Sequence, residues 1–109
     1  MQIKNIPKIS TNKSYAGIHW SKRAKLKGDM YTLIRSQTKV MITKPSVINY
    51  TFHWAGKVLD ADNNSIVGKM ITDVLTDGKD NYKQIKRISY GSEKSREKYN
   101  WVLIEIQEL

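Results

Sequence analysis

The chain has 109 residues, enough for one modest domain whose core can hold without disulfides or structural metal. It contains no cysteine, which removes disulfide frameworks and zinc-finger spacings, and its longest apolar runs fall far short of the ~20 residues that span a bilayer. Nineteen Lys plus Arg against ten Asp plus Glu leave a net charge of +9, which suits a polyanionic partner.

The first residues, Met1 to Ile9, hold basic side chains but no apolar core of the signal-peptide kind, so a soluble cytoplasmic protein is the expectation. From 7 to 17, Pro7, Ser10, Thr11, Asn12, Ser14 and Gly17 carry turn chemistry and predict a loop. Ser21 then caps a predicted helix to about Gln37, with Ala24, Leu26, Met30, Leu33 and Ile34 roughly on one face and Gly28 interrupting it. Lys22, Arg23, Lys25 and Lys27 on that helix are candidate phosphate contacts, or else a solvated face.

Between Val47 and Val58, Ile48, Tyr50, Phe52 and Trp54 alternate with Val47, Asn49, Thr51 and His53, the two-residue period of a half-buried strand. A second helix is predicted over Ser65 to Leu75, with Ile66, Val67, Met70, Ile71, Val74 and Leu75 as its apolar stripe and Lys69, Thr72 and Asp73 on its other face. Strands over Gln84 to Tyr90 and Tyr99 to Gln107 follow, joined by a polar loop from Gly91 to Lys98 in which Lys94, Arg96 and Lys98 alternate with Glu93 and Glu97. Without a regular strand-helix-strand alternation, the expected class is α+β: a small, mainly antiparallel mixed sheet packed with two helices.

Five of the ten acids, Asp60, Asp62, Asp73, Asp77 and Asp80, fall between positions 60 and 80, flanked by clusters of Lys and Arg. The densest element is Asp60-Ala61-Asp62-Asn63. If the strand persisted through it, the two carboxylates would share one face ~6.7 Å apart, at a rise of ~3.3 Å per residue. Oxygen-only donors select Mg²⁺ or Mn²⁺, ions that polarise a phosphodiester and generate hydroxide. The competing reading is that Asp60, Asp62, Asn63 and Asn64 are turn formers and helix caps. A calcium loop of the EF-hand type is excluded, because Ser65 stands where its glycine belongs and Ile71 where its bidentate Glu belongs. His19 and His53 sit in no metal-ligand spacing, and Trp20, Trp54 and Trp101 read as core or dimer contacts, although Tyr15 or Trp20 could stack on an opened base.

The order DxDN at Asp60 to Asn63, then Lys69 four residues before Asp73-Val74-Leu75, then Asp80 ahead of Gln84-Ile85, resembles the RusA family of Holliday-junction resolvases. Thr11-Asn12-Lys13-Ser14-Tyr15, ahead of His19-Trp20, is similar to that family's N-terminal segment. The resemblance implies a RusA-like fold and a Mg²⁺-dependent endonuclease, phage or mobile-element encoded in some cases, that acts in DNA recombination and repair as a homodimer nicking a four-way junction symmetrically. It further implies that Asp60, Asp62 and Asp80 hold the metal and that Lys69 stabilises charge on the cleaved phosphate. Asn63 and Asp73 would position these groups, and Asn12, Lys13 and Tyr15 would join Lys22, Arg23, Lys25 and Lys27 in contacting DNA. Two other readings remain open at this point: a DNA-binding protein without catalysis, and an interaction module whose basic surface meets an acidic protein.

Overall fold

The computed structural model describes residues 1–9 and 20–109, with the side chain of Trp20 excepted. Asn12, Lys13, Tyr15 and His19 therefore lie outside the described residues. The elements run β1 (Gln2–Lys4), α1 (Trp20–Arg35), β2 (Ser46–Trp54), a 3-10 turn (Ala61–Asn64), α2 (Ser65–Thr76), β3 (Ile85–Lys94) and β4 (Trp101–Glu108). The four strands form one sheet in the order β1-β4-β2-β3. β4 pairs antiparallel with both β1 and β2, whereas β2 and β3 are parallel. The α+β class with a mixed sheet and two helices is thus observed, but one strand-helix-strand unit, β2-α2-β3, is embedded in it.

β2 is the central strand, and its alternation sends Ile48, Tyr50, Phe52 and Trp54 into the core. Their rings form a ladder: Phe52 stacks on Trp54 at 5.6 Å between centroids, and Tyr50 stacks on Tyr90 of β3 at 5.7 Å. Ring pairs of this kind contribute about 0.5–1.5 kcal/mol each beyond the area they bury. α2 lies on these rings with Val67, Gly68, Met70, Ile71, Val74 and Leu75 buried, and α1 adds Met30 and Ile34. Ala24, expected on the apolar face of α1, is exposed, since the first turns of that helix extend past the core.

Thr72 departs from its predicted solvent-facing place. It is buried, because its hydroxyl donates to the Gly68 carbonyl (2.8 Å) and so must accept from the Tyr50 hydroxyl (2.7 Å). Burial correspondingly drives the Tyr50 phenol far above its usual range. Gly68 is required by the same packing: a Cβ there would stand 2.2 Å from the Tyr90 ring.

One strand is new and two strand ends shift by more than two residues from expectation. β1 is too short for periodicity to reveal. β3 runs through Gly91 to Lys94, which the sequence assigned to a loop, because parallel pairing with Thr51 to Trp54 supplies partners that its own polar composition does not advertise. Finally, β2 stops at Trp54 rather than Val58. Beyond it the ladder groups are taken by side chains: Ala55 N–H donates to Asn100 Oδ1 (2.8 Å), Lys94 Nζ donates to the carbonyls of Ala55 (2.9 Å) and Gly56 (2.8 Å), and Lys8 Nζ donates to that of Lys57.

Candidate functional site

Because β2 ends early, Asp60 and Asp62 are not strand neighbours on one face. Asp60 precedes the 3-10 turn with extended backbone, and its carbonyl accepts from Asn63 N–H (2.9 Å); Asp62 lies within the turn. Both are exposed, and neither forms an ion pair among the described residues. Neither uses its side chain as a helix cap: no side-chain cap bond is made at Asp60 or at Asn64.

What holds this turn is Asn64, expected from the sequence as a turn former or helix cap. It is fully buried. Its Oδ1 accepts from the Trp54 indole N–H (3.2 Å), and its Nδ2 donates to the Gly91 carbonyl (3.1 Å) and to Ser92 Oγ (2.7 Å). One amide therefore ties the start of α2 to the ends of both parallel strands. The only sequence signal was a second Asn after DxDN, at a position where apolar residues begin.

α2 then carries Lys69 and Asp73 one turn apart. At its C-terminus Asp77 takes a left-handed conformation (φ 53°) and Gly78 another (φ 76°), and Gly78 N–H donates back to the Asp73 carbonyl (2.9 Å). This reversal returns the chain along the helix and delivers Asp80 to Lys69. Lys69 Nζ donates to Asp80 at 2.8 Å and to Asp73 at 3.4 Å. Lys69, Asp73 and Asp80, all three anticipated as functional, are thus brought together.

The electrostatics of this trio are asymmetric. Asp80 is held below the ordinary carboxylate range, chiefly by the hydrogen bond from Lys69 and secondarily by one from Asp73. Asp73 is pushed up, first by burial and then by its hydrogen bond with Asp80, with Lys69 opposing. Lys69 is raised, mainly by its bond to Asp80. The two carboxyls around Lys69 are therefore shifted in opposite directions, Asp73 upward and Asp80 downward, with the ammonium closer to Asp80.

Asp60 and Asp62 do not join this trio. They precede α2, whereas Lys69 and Asp73 lie roughly 6 and 12 Å along its axis from Ser65, at 1.5 Å per residue. Among the described residues no three His, Cys, Asp or Glu side chains are gathered to hold a metal ion together. Between α1, α2 and β3 opens a cavity of about 280 Å³, lined by Lys27, Ser65, Ile66, Lys69, Met70, Asp73 and Tyr90. Of the expected phosphate contacts on α1, Lys27 reaches this cavity, Lys22 is exposed, Arg23 is half-buried, and Lys25 pairs with Asp29 (3.0 Å). Asn63 is half-buried beside Asn64.

No helix among the described residues is long and apolar enough to cross a membrane. Compared with protein-family models, with curated proteins and with solved structures, the chain matches none.

Proposed function

We propose that this protein is a metal-dependent endonuclease of the RusA kind, acting as a homodimer on branched DNA. The observation that carries the reading is the convergence of Lys69, Asp73 and Asp80 beside a cavity that Lys27 also lines, in a chain of net charge +9. Asp60 and Asp62 stand at the other end of the same helix, on a turn anchored by Asn64, where the chain leaves the carboxyl end of a strand in a parallel pair. Ligand sites recur at that position in sheets with strand-helix-strand units.

The donor chemistry fits Mg²⁺ or Mn²⁺: among the described residues the exposed carboxylates of Asp60 and Asp62 form no ion pair, and the chain has no cysteine to offer sulfur. The fit lies in that chemistry and not in a ready-made cage. Mg²⁺ is commonly held by one or two carboxylates while keeping waters and taking phosphate oxygens, so Asp60 and Asp62 would be its holders, while Asp80 stays paired with Lys69. Such an ion would supply a polarised phosphodiester and a hydroxide nucleophile. Lys69, largely exposed, would set its ammonium against the phosphate, and Lys22, Lys25 and Lys27 would neutralise the backbone.

A second reading has its own support. Lys69 already has two carboxylate partners, and Asp60, Asp62 and Asp80 are not gathered, which favours DNA binding without cleavage. Cleavage of an end-labelled four-way junction, beside a linear duplex of the same sequence and with Mg²⁺ or EDTA, separates the two. Paired symmetric nicks in the junction alone, only with Mg²⁺, are expected, and Asp62→Asn should abolish them while junction binding stays near or above wild type. Tight junction binding with no cut in Mg²⁺ or Mn²⁺ would refute the nuclease and leave the binding protein.

A further inference from the structure

Among the described residues, the helices cover one face of the sheet, and no helix covers the other. On that face His53 of β2 and Trp101 of β4 are direct cross-strand partners, and their rings stack at 3.8 Å with 2° between planes. Neither ring is fully buried. Trp101 covers the imidazole from the β4 side. A cavity of about 370 Å³ borders the pair, and its remaining lining, Glu93, Lys94, Arg96 and Glu97, comes from β3 and the turn after it, on the opposite side of His53.

We propose that this cavity is a stacking site for an unpaired nucleobase, which lies against the free face of His53 and extends the His53–Trp101 stack by one ring. The proposal shares with the preceding section only the assumption of a nucleic-acid partner and needs no cleavage. Aromatic side chains on an open sheet face are a sequence-tolerant platform for single strands, since every base has a π face. Burial lowers the His53 pKa, with Glu93 opposing, so the ring is neutral at neutral pH and the stack is aromatic in character.

Charge identifies the occupant as a base and not a phosphate. Lys94 is committed to the carbonyls of Ala55 and Gly56, and Glu93 and Glu97 stand beside it, so the lining offers carboxylate acceptors alongside Arg96. Exocyclic amino groups, which cytosine and adenine possess and thymine lacks, suit those acceptors.

The test measures binding of the full-length protein to a short fluorescent oligodeoxycytidine, to oligodeoxythymidine and to a duplex, by anisotropy in EDTA so that cleavage plays no part. His53→Ala should weaken oligodeoxycytidine binding about ten-fold and leave the duplex within about two-fold, from the known size of base–aromatic stacking. Glu93→Gln, an exposed change that leaves the fold intact, should weaken oligodeoxycytidine but not oligodeoxythymidine. Unchanged single-strand affinity in both variants overturns the proposal, as does equal loss for single strand and duplex. A shift from dimer to monomer on sedimentation of His53→Ala, with single-strand affinity intact, would overturn it in favour of contact with a second copy of the chain.

Discussion

Replacing Asn64 by Ala tests the architecture on which the candidate site stands. The change deletes three hydrogen bonds and leaves the Trp54 indole N–H without an acceptor in a fully buried setting. A buried group stranded in this way costs about 1–3 kcal/mol. The Gly91 carbonyl and Ser92 hydroxyl are only partly buried and can recruit water, so they add roughly another 1 kcal/mol together. The expected loss is therefore about 2–4 kcal/mol, read as a lower urea midpoint with an unchanged slope. Asn64→Asp discriminates further. It keeps an acceptor for Trp54 but buries a carboxylate against the Gly91 carbonyl, so its loss should be at least as large at neutral pH and should shrink in acid, as the group protonates. A loss below about 1 kcal/mol for Asn64→Ala, or a pH-independent loss for Asn64→Asp, would refute the claim that this amide anchors the turn.

Gly68→Ala should destabilise by about 1–3 kcal/mol despite better helix propensity, because the Tyr90 ring in its way is stacked on Tyr50 and cannot swing freely; Gly28→Ala, with open space around it, should stabilise by up to about 1 kcal/mol, and equal effects on thermal unfolding would contradict the packing. Asp77→Gly relieves a left-handed backbone at the end of α2 and should add about 0.5–1 kcal/mol in the same assay. Asp73→Asn concerns pH. The folded state raises the Asp73 pKa, so this group's stabilising contribution is present in acid and is lost as pH rises above its ordinary value of 3.8, whereas the lowered Asp80 acts with opposite sign. The variant should accordingly gain in stability relative to wild type as pH rises from acid to neutral, and a pH-independent difference in urea unfolding would show that Asp73 is not strained.

The alternation of Ile48, Tyr50, Phe52 and Trp54 and the stripe of α2 were legible because both periods are local properties of the chain: side chains repeat every two residues on a strand and every 3.6 on a helix. The class, the two helices, and Lys69, Asp73 and Asp80 as residues of interest followed from that reading and from motif order. Pairing did not. Whether β2 meets β3 in parallel depends on which backbone groups the neighbouring strand offers, and residues 91–94 became strand through that partner alone. The end of β2 was decided by Asn100, Lys94 and Lys8, residues remote in sequence that take up the carbonyl and amide groups of 55–57. That capture turns the Asp60-Asp62 pair from a strand motif into an exposed turn. The helix that follows separates it from Asp80, while the reversal at Asp77 and Gly78 folds Asp80 back onto Lys69. The sequence by itself determined which residues could bear charge, ligate a cation or fill a core. Only the tertiary structure decided which of them meet, because hydrogen-bond partners and burial are set by chain segments that no local pattern joins.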